Sequence, residues 1–246
     1  MMTAAALDRV RVVLCETSHP GNIGAAARAM KTMGLSCLVL VKPKHFPHAD
    51  AEAFASGALD VLREAVVCHS LDEALAGTVL AVASTSRHRD LTHEIVDCRE
   101  ACKRLVQDAS HGEVALVFGP ERTGLTIRDV NKCQLIAAIP ANPDYGSLNL
   151  AQAVQVFAYE LSMTAGGTAP RPPQSSNAAT HDEVEGFHRQ LEEVFHASGF
   201  LDPQEPKRLM QRMRRLFARS RLEKEEVNIL RGFLRAVRGR MGGGNE

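Results

Sequence analysis

The residues with most chemical potential cluster in one stretch, Ala115 to Val154, and in two loops upstream of it. Gly119 and Gly124 bracket Pro120-Glu121-Arg122-Thr123, and Pro140 to Asn149 carries Gly146, Ser147, Leu148 and Asn149. Each loop follows an apolar run, Ala115–Phe118 or Leu135–Ile139, that reads as a buried strand. A third loop, Ser84-Thr85-Ser86-Arg87, follows the run Thr78–Ala83. In an open parallel sheet a ligand sits beyond the carboxyl ends of the strands, where backbone N–H groups at loops and helix starts are free to donate. A pocket made there holds one carboxylate (Glu121), hydroxyls (Ser84, Thr85, Ser86, Ser147) and few titratable bases. That set suits a polar organic cofactor, with Ile139 and Leu148 as walls and Gly119 and Gly146 allowing close backbone approach.

Several common chemistries are excluded. Gly119–Gly124 is not followed by the Lys and Ser or Thr of a P-loop, and neither G-x-G-x-x-G nor G-x-S-x-G occurs. His45 and His48 lack Cys or carboxylate neighbours at ligand spacing, so no metal site is expected. Upstream, Arg28 follows Asn22 by six residues. On one continuous helix these side chains point in different directions, so Asn22 is expected in the loop, free to turn toward the same site. Arg28 then either meets the substrate or sits in a surface salt bridge, and Glu121 has the simpler alternative of capping the helix that follows it.

The elements that must position these residues alternate. Arg9–Glu16 reads as a strand, Ile23–Met33 as a helix stopped by Gly34, and Cys37–Lys42 as the next strand, a β-α-β unit with a right-handed crossover. A polar loop leads to a helix in AEAFASGALDVL. Val66–His69 is a brief strand, and Ser70 to Glu73 has capping-box spacing for a helix to Ala76. With Thr78–Ala83, a helix over Asp97–Asp108 and the two runs above, the pattern predicts an α/β domain of five or six parallel strands. Residues 166–180, rich in Gly, Pro, Ser and Asn, read as a flexible linker between a domain over 1–165 and a module over 181–246. Beyond the linker three segments repeat apolar residues at helical spacing and predict a small all-helical C-terminal module.

Three motifs in the right order carry a resemblance. Ser18–Gly34 (SHPGNIGAAARAMKTMG), Phe118–Leu125 (FGPERTGL) and Ile139–Ala153 (IPANPDYGSLNLAQA) resemble the SPOUT-class RNA ribose 2′-O-methyltransferases, and most closely their bacterial subgroup acting on nucleotide 32 of the tRNA anticodon loop. Ala141 and Leu150-Ala151 depart from the wider family and fit that subgroup better. The resemblance implies S-adenosylmethionine as methyl donor without a metal, held by Ser84, Thr85, Ser86, Gly119, Ile139, Gly146, Ser147 and Leu148. It assigns Asn22, Arg28, Glu121, Ser147 and Asn149 to the catalytic centre or its support. It also implies a parallel-sheet fold with a trefoil knot and an active site at a homodimer interface. Arg keeps its proton far above neutral pH, so Arg28 is expected to orient the ribose hydroxyl and stabilise the developing alkoxide. The expected reaction is methylation of the ribose of cytidine or uridine 32 in tRNA. Ribosomal RNA as substrate, or non-catalytic RNA binding on the same scaffold, are the alternatives.

Composition sets the remaining limits. The chain has 246 residues, 45% of them hydrophobic, and a formal net charge of zero, so any RNA contact must come from local basic clusters. One candidate is Arg87 and Arg89 beside the Ser84–Ser86 loop, which serves equally as a solvated loop. Another is Lys207 to Arg221, where Arg208, Arg212, Arg215 and Arg219 share a helix face, against the bland reading of a solvated face balanced by Asp182–Glu193. Only 4% of residues are aromatic, so base stacking is not expected to dominate. Six irregularly spaced cysteines point to reduced thiols. With no signal pattern and no apolar run near the roughly 20 residues of a membrane span, a cytoplasmic protein without membrane contact is expected.

Overall fold

The computed structural model describes residues 6–85, 93–166, 177–202 and 208–242. Seven strands form one sheet: β1 (Val10–Cys15), β2 (Leu38–Val41), β3 (Val66–Cys68), β4 (Thr78–Ser84), β5 (Ile95–Asp97), β6 (Glu113–Phe118) and β7 (Leu135–Ala138). Their order is β3-β2-β1-β6-β4-β7-β5, and every pairing is parallel. The expected five or six strands become seven because β5 spans only three residues at a sheet edge, too short for a periodic signal.

Helices cover both faces of the sheet, which is why the inner strands are mostly apolar and do not alternate with polar residues along their length. One face packs α1 (Pro20–Thr32), α2 (Ala49–Ala55), α3 (Leu59–Arg63), α5 (Cys98–Asp108) and α7 (Leu150–Gly166) around Ile23, Met30, Leu105, Leu116 and Phe157. The other carries the short α4 (Leu71–Leu75) and α6 (Ile127–Val130) over Val117, Leu75 and Val130. The helix expected across Ala51–Leu62 is broken in two at Ser56, whose φ of 52° no regular helix tolerates. At α4 the Ser70 side chain accepts from Glu73 N, while Glu73 accepts from His69 N, so the reciprocal bond falls one residue before the cap. Gly34, with φ +82°, follows the end of α1 in the left-handed conformation that glycine adopts freely.

The C-terminal helices α8 (His181–Ala197), α9 (Leu209–Ser220) and α10 (Lys224–Gly242) gather around Phe187, Val227 and Leu234. α8 opens with a full capping box, Thr180 against Glu183. The described end of the Gly/Pro-rich stretch is tied down: Ala179 N donates to Leu222 O, and Lys224 N donates to Asn177 O. The C-terminal helices meet the sheet domain at the opposite end from the C-terminal strand ends. Gly77 N donates to Asp182, and Arg221 pairs with the buried Asp108 at the end of α5. All six cysteines are free. Among the described residues no helix is long and apolar enough to cross a membrane.

Candidate active site

β4, β6 and β7 lie side by side and end together, so the three loops that follow them converge. Ser84 and Thr85, Gly119 and Glu121, and Ile139, Gly146, Ser147 and Leu148 line one cleft beyond these strand ends. Ser86, Arg87 and Arg89 lie outside the described residues. Three apolar side chains that sequence reasoning missed complete the walls: Phe118 at the end of β6, with Leu150 and Ala153 on the first turns of α7. They were hidden because they read only as strand and helix core.

Gly119 is required by its own loop. A Cβ there would lie 2.2 Å from Leu125 N and 2.4 Å from Gly124 C, so the 119–124 segment folds back to contact its own start. Gly124, at φ +64° with its N–H on Pro120 O, closes the turn. Gly146 is less crowded, with Asn142 O at 3.3 Å from such a Cβ. The 140–149 loop is shaped by Asn142, whose side chain accepts from Asp144 N and whose carbonyl accepts from Tyr145 N. Gly146, Ser147 and Leu148 line the cleft, and their backbone N–H groups have no acceptor among the described residues.

Beside this cleft Glu121 organises a polar cluster. Its carboxylate accepts from Ser18 Oγ at 2.8 Å, Ser18 N at 3.0 Å, His19 N at 3.2 Å and Asn22 Nδ2 at 2.9 Å. Asn149 Nδ2 donates to Asn22 Oδ1 at 3.0 Å, and Asn149 Oδ1 accepts from Ala151 N. One network therefore joins the loop after β1, the loop after β6 and the start of α7. Partial burial alone would push the Glu121 carboxyl up. The Asn22 and Ser18 hydrogen bonds outweigh it and hold the group at about 2.

Two expectations need correction. Asn22 is not in a loop: Pro20, with its fixed φ and no N–H to satisfy, starts α1 two residues earlier and puts Asn22 in the first turn. Glu121 does not cap the following helix α6, whose own Thr126 and Asp129 form a capping box. It caps α1 instead, accepting from the backbone N–H of Ser18 and of the N-cap His19, whose side chain caps nothing.

Arg28 stands apart from this network. It is exposed on α1, its carbonyl accepts from Thr32 Oγ1, and its guanidinium has no partner among the described residues. Ser147 is likewise exposed at the mouth of the cleft. Of the basic row on α9, Arg208, Arg212 and Arg219 are exposed, but Arg215 is half-buried. Its Nε has no hydrogen-bond partner among the described residues, and its charge lies close enough to the half-buried His93 to add to the effect of burial in lowering that ring's pKa. Among the described residues no cluster of His, Cys, Asp or Glu has the make-up of a metal site.

Residues 9–159 match the SpoU rRNA methylase family model. The chain belongs to the SpoU methylase family. Residues 182–246 match the tRNA methyltransferase TrmJ C-terminal domain, which accounts for the helices α8 to α10. The chain is 47% identical over 239 residues to the tRNA (cytidine/uridine/adenosine-2′-O-)-methyltransferase TrmJ of Pseudomonas aeruginosa, covering 93% of each chain. Among solved structures, TrmJ from Z. mobilis superposes with a TM-score of 0.82 at 33% identity, covering 93% of this chain and 98% of that one. A probable methylase family protein from Haemophilus influenzae gives 0.64 at 40% identity, over 96% and 98%. As a SpoU methylase, this protein is an enzyme of methyl transfer, and the cleft and the Glu121 cluster are the parts of it that its motifs build.

Proposed function

We propose that this methyltransferase moves a methyl group from S-adenosylmethionine to the ribose 2′-hydroxyl of cytidine or uridine 32 in tRNA. The observation that carries the reading is the convergence of the three motif loops. They place a cleft of backbone N–H groups, hydroxyls and apolar walls directly beside the Asn22–Glu121–Asn149 network. S-adenosylmethionine fits these residues: Ile139, Leu148 and Phe118 offer flat apolar contact, and Gly146, Ser147 and Leu148 offer unsatisfied backbone donors. The donor would supply an electrophilic methyl group carried on a sulfonium.

The protein's own residues would then position, desolvate and stabilise charge, with no covalent intermediate. Glu121 holds Asn22 and the start of α1 in place, and Asn22 in turn fixes Asn149 at the rim of the cleft. Ser147 would meet the donor or the ribose there. Arg28 orients the ribose hydroxyl and offsets the negative charge that develops on its oxygen. Since Arg28 has no partner within the Glu121 network, the reading places the ribose at a homodimer interface, where two chains contribute to one site. α7 supports such an interface: Tyr159 and Met163, one turn apart, are 49% and 58% exposed. Residues 1–165 carry the reaction, 166–180 connect, and 181–246 receive RNA through Arg208, Arg212 and Arg219, with Arg87 and Arg89 as further phosphate contacts.

The Pseudomonas aeruginosa relative acts on tRNA by its own name, while the family's name refers to ribosomal RNA. Incubation with methyl-labelled donor and either tRNA or ribosomal RNA decides between them. Label in tRNA alone supports the proposal; label in ribosomal RNA alone, or in neither, refutes it.

A further inference from the structure

The last helix, α10, has one face that the protomer leaves uncovered. Val227 and Leu234 are buried against α8 and the Phe187 cluster, with Leu230 and Val237 beside them. At about 100° per residue, the opposite face carries Glu225, Ile229, Gly232, Phe233, Ala236 and Arg240. Ile229 and Phe233 are 70% and 65% exposed. Two large apolar side chains one turn apart on an otherwise polar surface call for a partner.

We propose that this face pairs with the same face of a second copy of the chain, antiparallel, about a two-fold axis between Gly232 and Phe233. The order of residues along the stripe is self-complementary about that point. Rotation by 180° sets Ile229 against Ala236 of the second copy, Phe233 against Gly232, and Glu225 against Arg240. Each large side chain then meets a small one, which lets the backbones approach closely, and each end brings an acid to a base. This is the isologous arrangement that a two-fold contact requires.

The protomer's own charge pairing supports the same conclusion. Off the stripe, Lys224 pairs with Glu183, Arg238 with Glu193 and Arg231 with Gln190 within the chain, while Arg235 reaches only the Arg231 carbonyl of its own helix. On the stripe, Glu225 and Arg240 form no ion pair among the described residues. Glu225 and Arg240 are charges that a second copy would match. One helix pair buries far less than the roughly 1,200–2,000 Å² of a stable interface, so the contact is weak alone. It gains strength where another contact already holds two chains together and raises their effective concentration.

Disulfide trapping in the full-length protein tests the register directly. Ile229→Cys with Ala236→Cys should give a covalent dimer on mild oxidation, while either single variant and the wild type, whose cysteines are buried or half-buried, should not. Adding Phe233→Glu should lower the yield about tenfold, equivalent to about 1.4 kcal/mol. Arg240→Glu should also lower it, and Glu225→Arg in the same chain should restore it. All these positions are exposed, so an unchanged circular dichroism spectrum checks the fold. No cross-link in the double variant overturns the proposal, as does equal cross-linking by Ile229→Cys alone, which means a parallel pair. Loss of tRNA binding in Phe233→Glu without any cross-link in the double variant overturns it too, by assigning the face to RNA. The readout is independent of whether the sheet domains dimerise.

Discussion

Glu121 stays ionised in a half-buried position because four donors converge on its two oxygens, and those donors belong to the segment that starts α1. Glu121→Ala leaves the Ser18 and His19 N–H groups and the Asn22 amide without an acceptor and should cost about 1–3 kcal/mol of stability, read by chemical denaturation. The pH dependence follows from the same bonds. The folded carboxyl sits at about 2, below its ordinary 4.5, so its contribution is complete above about pH 4.5 and fades as pH falls from there toward 2. Wild type should therefore lose stability relative to Glu121→Ala across that window, and parallel titration curves for the two proteins would contradict the network. Arg28 makes the complementary prediction. Arg28→Ala should lower turnover at least about a hundredfold, on the scale of one lost charge-stabilising donor, while methyl-donor affinity measured by calorimetry stays near wild type. Arg28→Lys keeps the charge without the forked donor and should recover little. If the whole defect of Arg28→Ala is lost donor binding, the assigned role is wrong.

At the scale of elements, α1 is held by contacts that its sequence did not announce. A Cβ on Gly24 would lie 2.0 Å from Ala51 O, because α1 and α2 cross at that glycine. Gly24→Ala must push the helices apart and should destabilise by about 1–3 kcal/mol or more, whereas Gly57→Ala, with open space around it, should change little. Equal melting temperatures for the two variants would refute the close crossing. The strand-loop-helix order was legible because β4, β6 and β7 are largely apolar runs and β1 is rich in β-branched residues, and the cleft followed because parallel strands end together. Asn22 was misplaced because an angular argument between it and Arg28 assumed a shared target, while Pro20 had already fixed the helix start. β5 was missed because three residues carry no period. The partnership of Glu121 with Ser18 and His19, some hundred residues apart in sequence, left no local signal. Nor did the turn of Arg215 toward His93, since helical spacing gives a face but not what that face meets.

For the whole molecule, the sheet domain holds the cleft and the C-terminal helices sit at its far end, anchored by Arg221 on Asp108 and by Asp182 on Gly77. A tRNA that touches Arg208, Arg212 or Arg219 must therefore extend a long way to reach a cleft. In a homodimer the cleft it enters can belong to either chain. Sedimentation of a chain ending near Gly166 should show a dimer at micromolar concentration, held by the α7 face; a monomer refutes that contact. The central claim, ribose methylation of tRNA in a site that uses Arg28, is tested most directly by mass-spectrometric mapping of tRNA incubated with S-adenosylmethionine and the protein in the presence of a chelator. The account predicts one added methyl on the ribose of nucleotide 32, at wild-type level with the unaltered protein and nearly absent with Arg28→Ala. A methyl group on a base or at another nucleotide, or a full yield from Arg28→Ala, would contradict it.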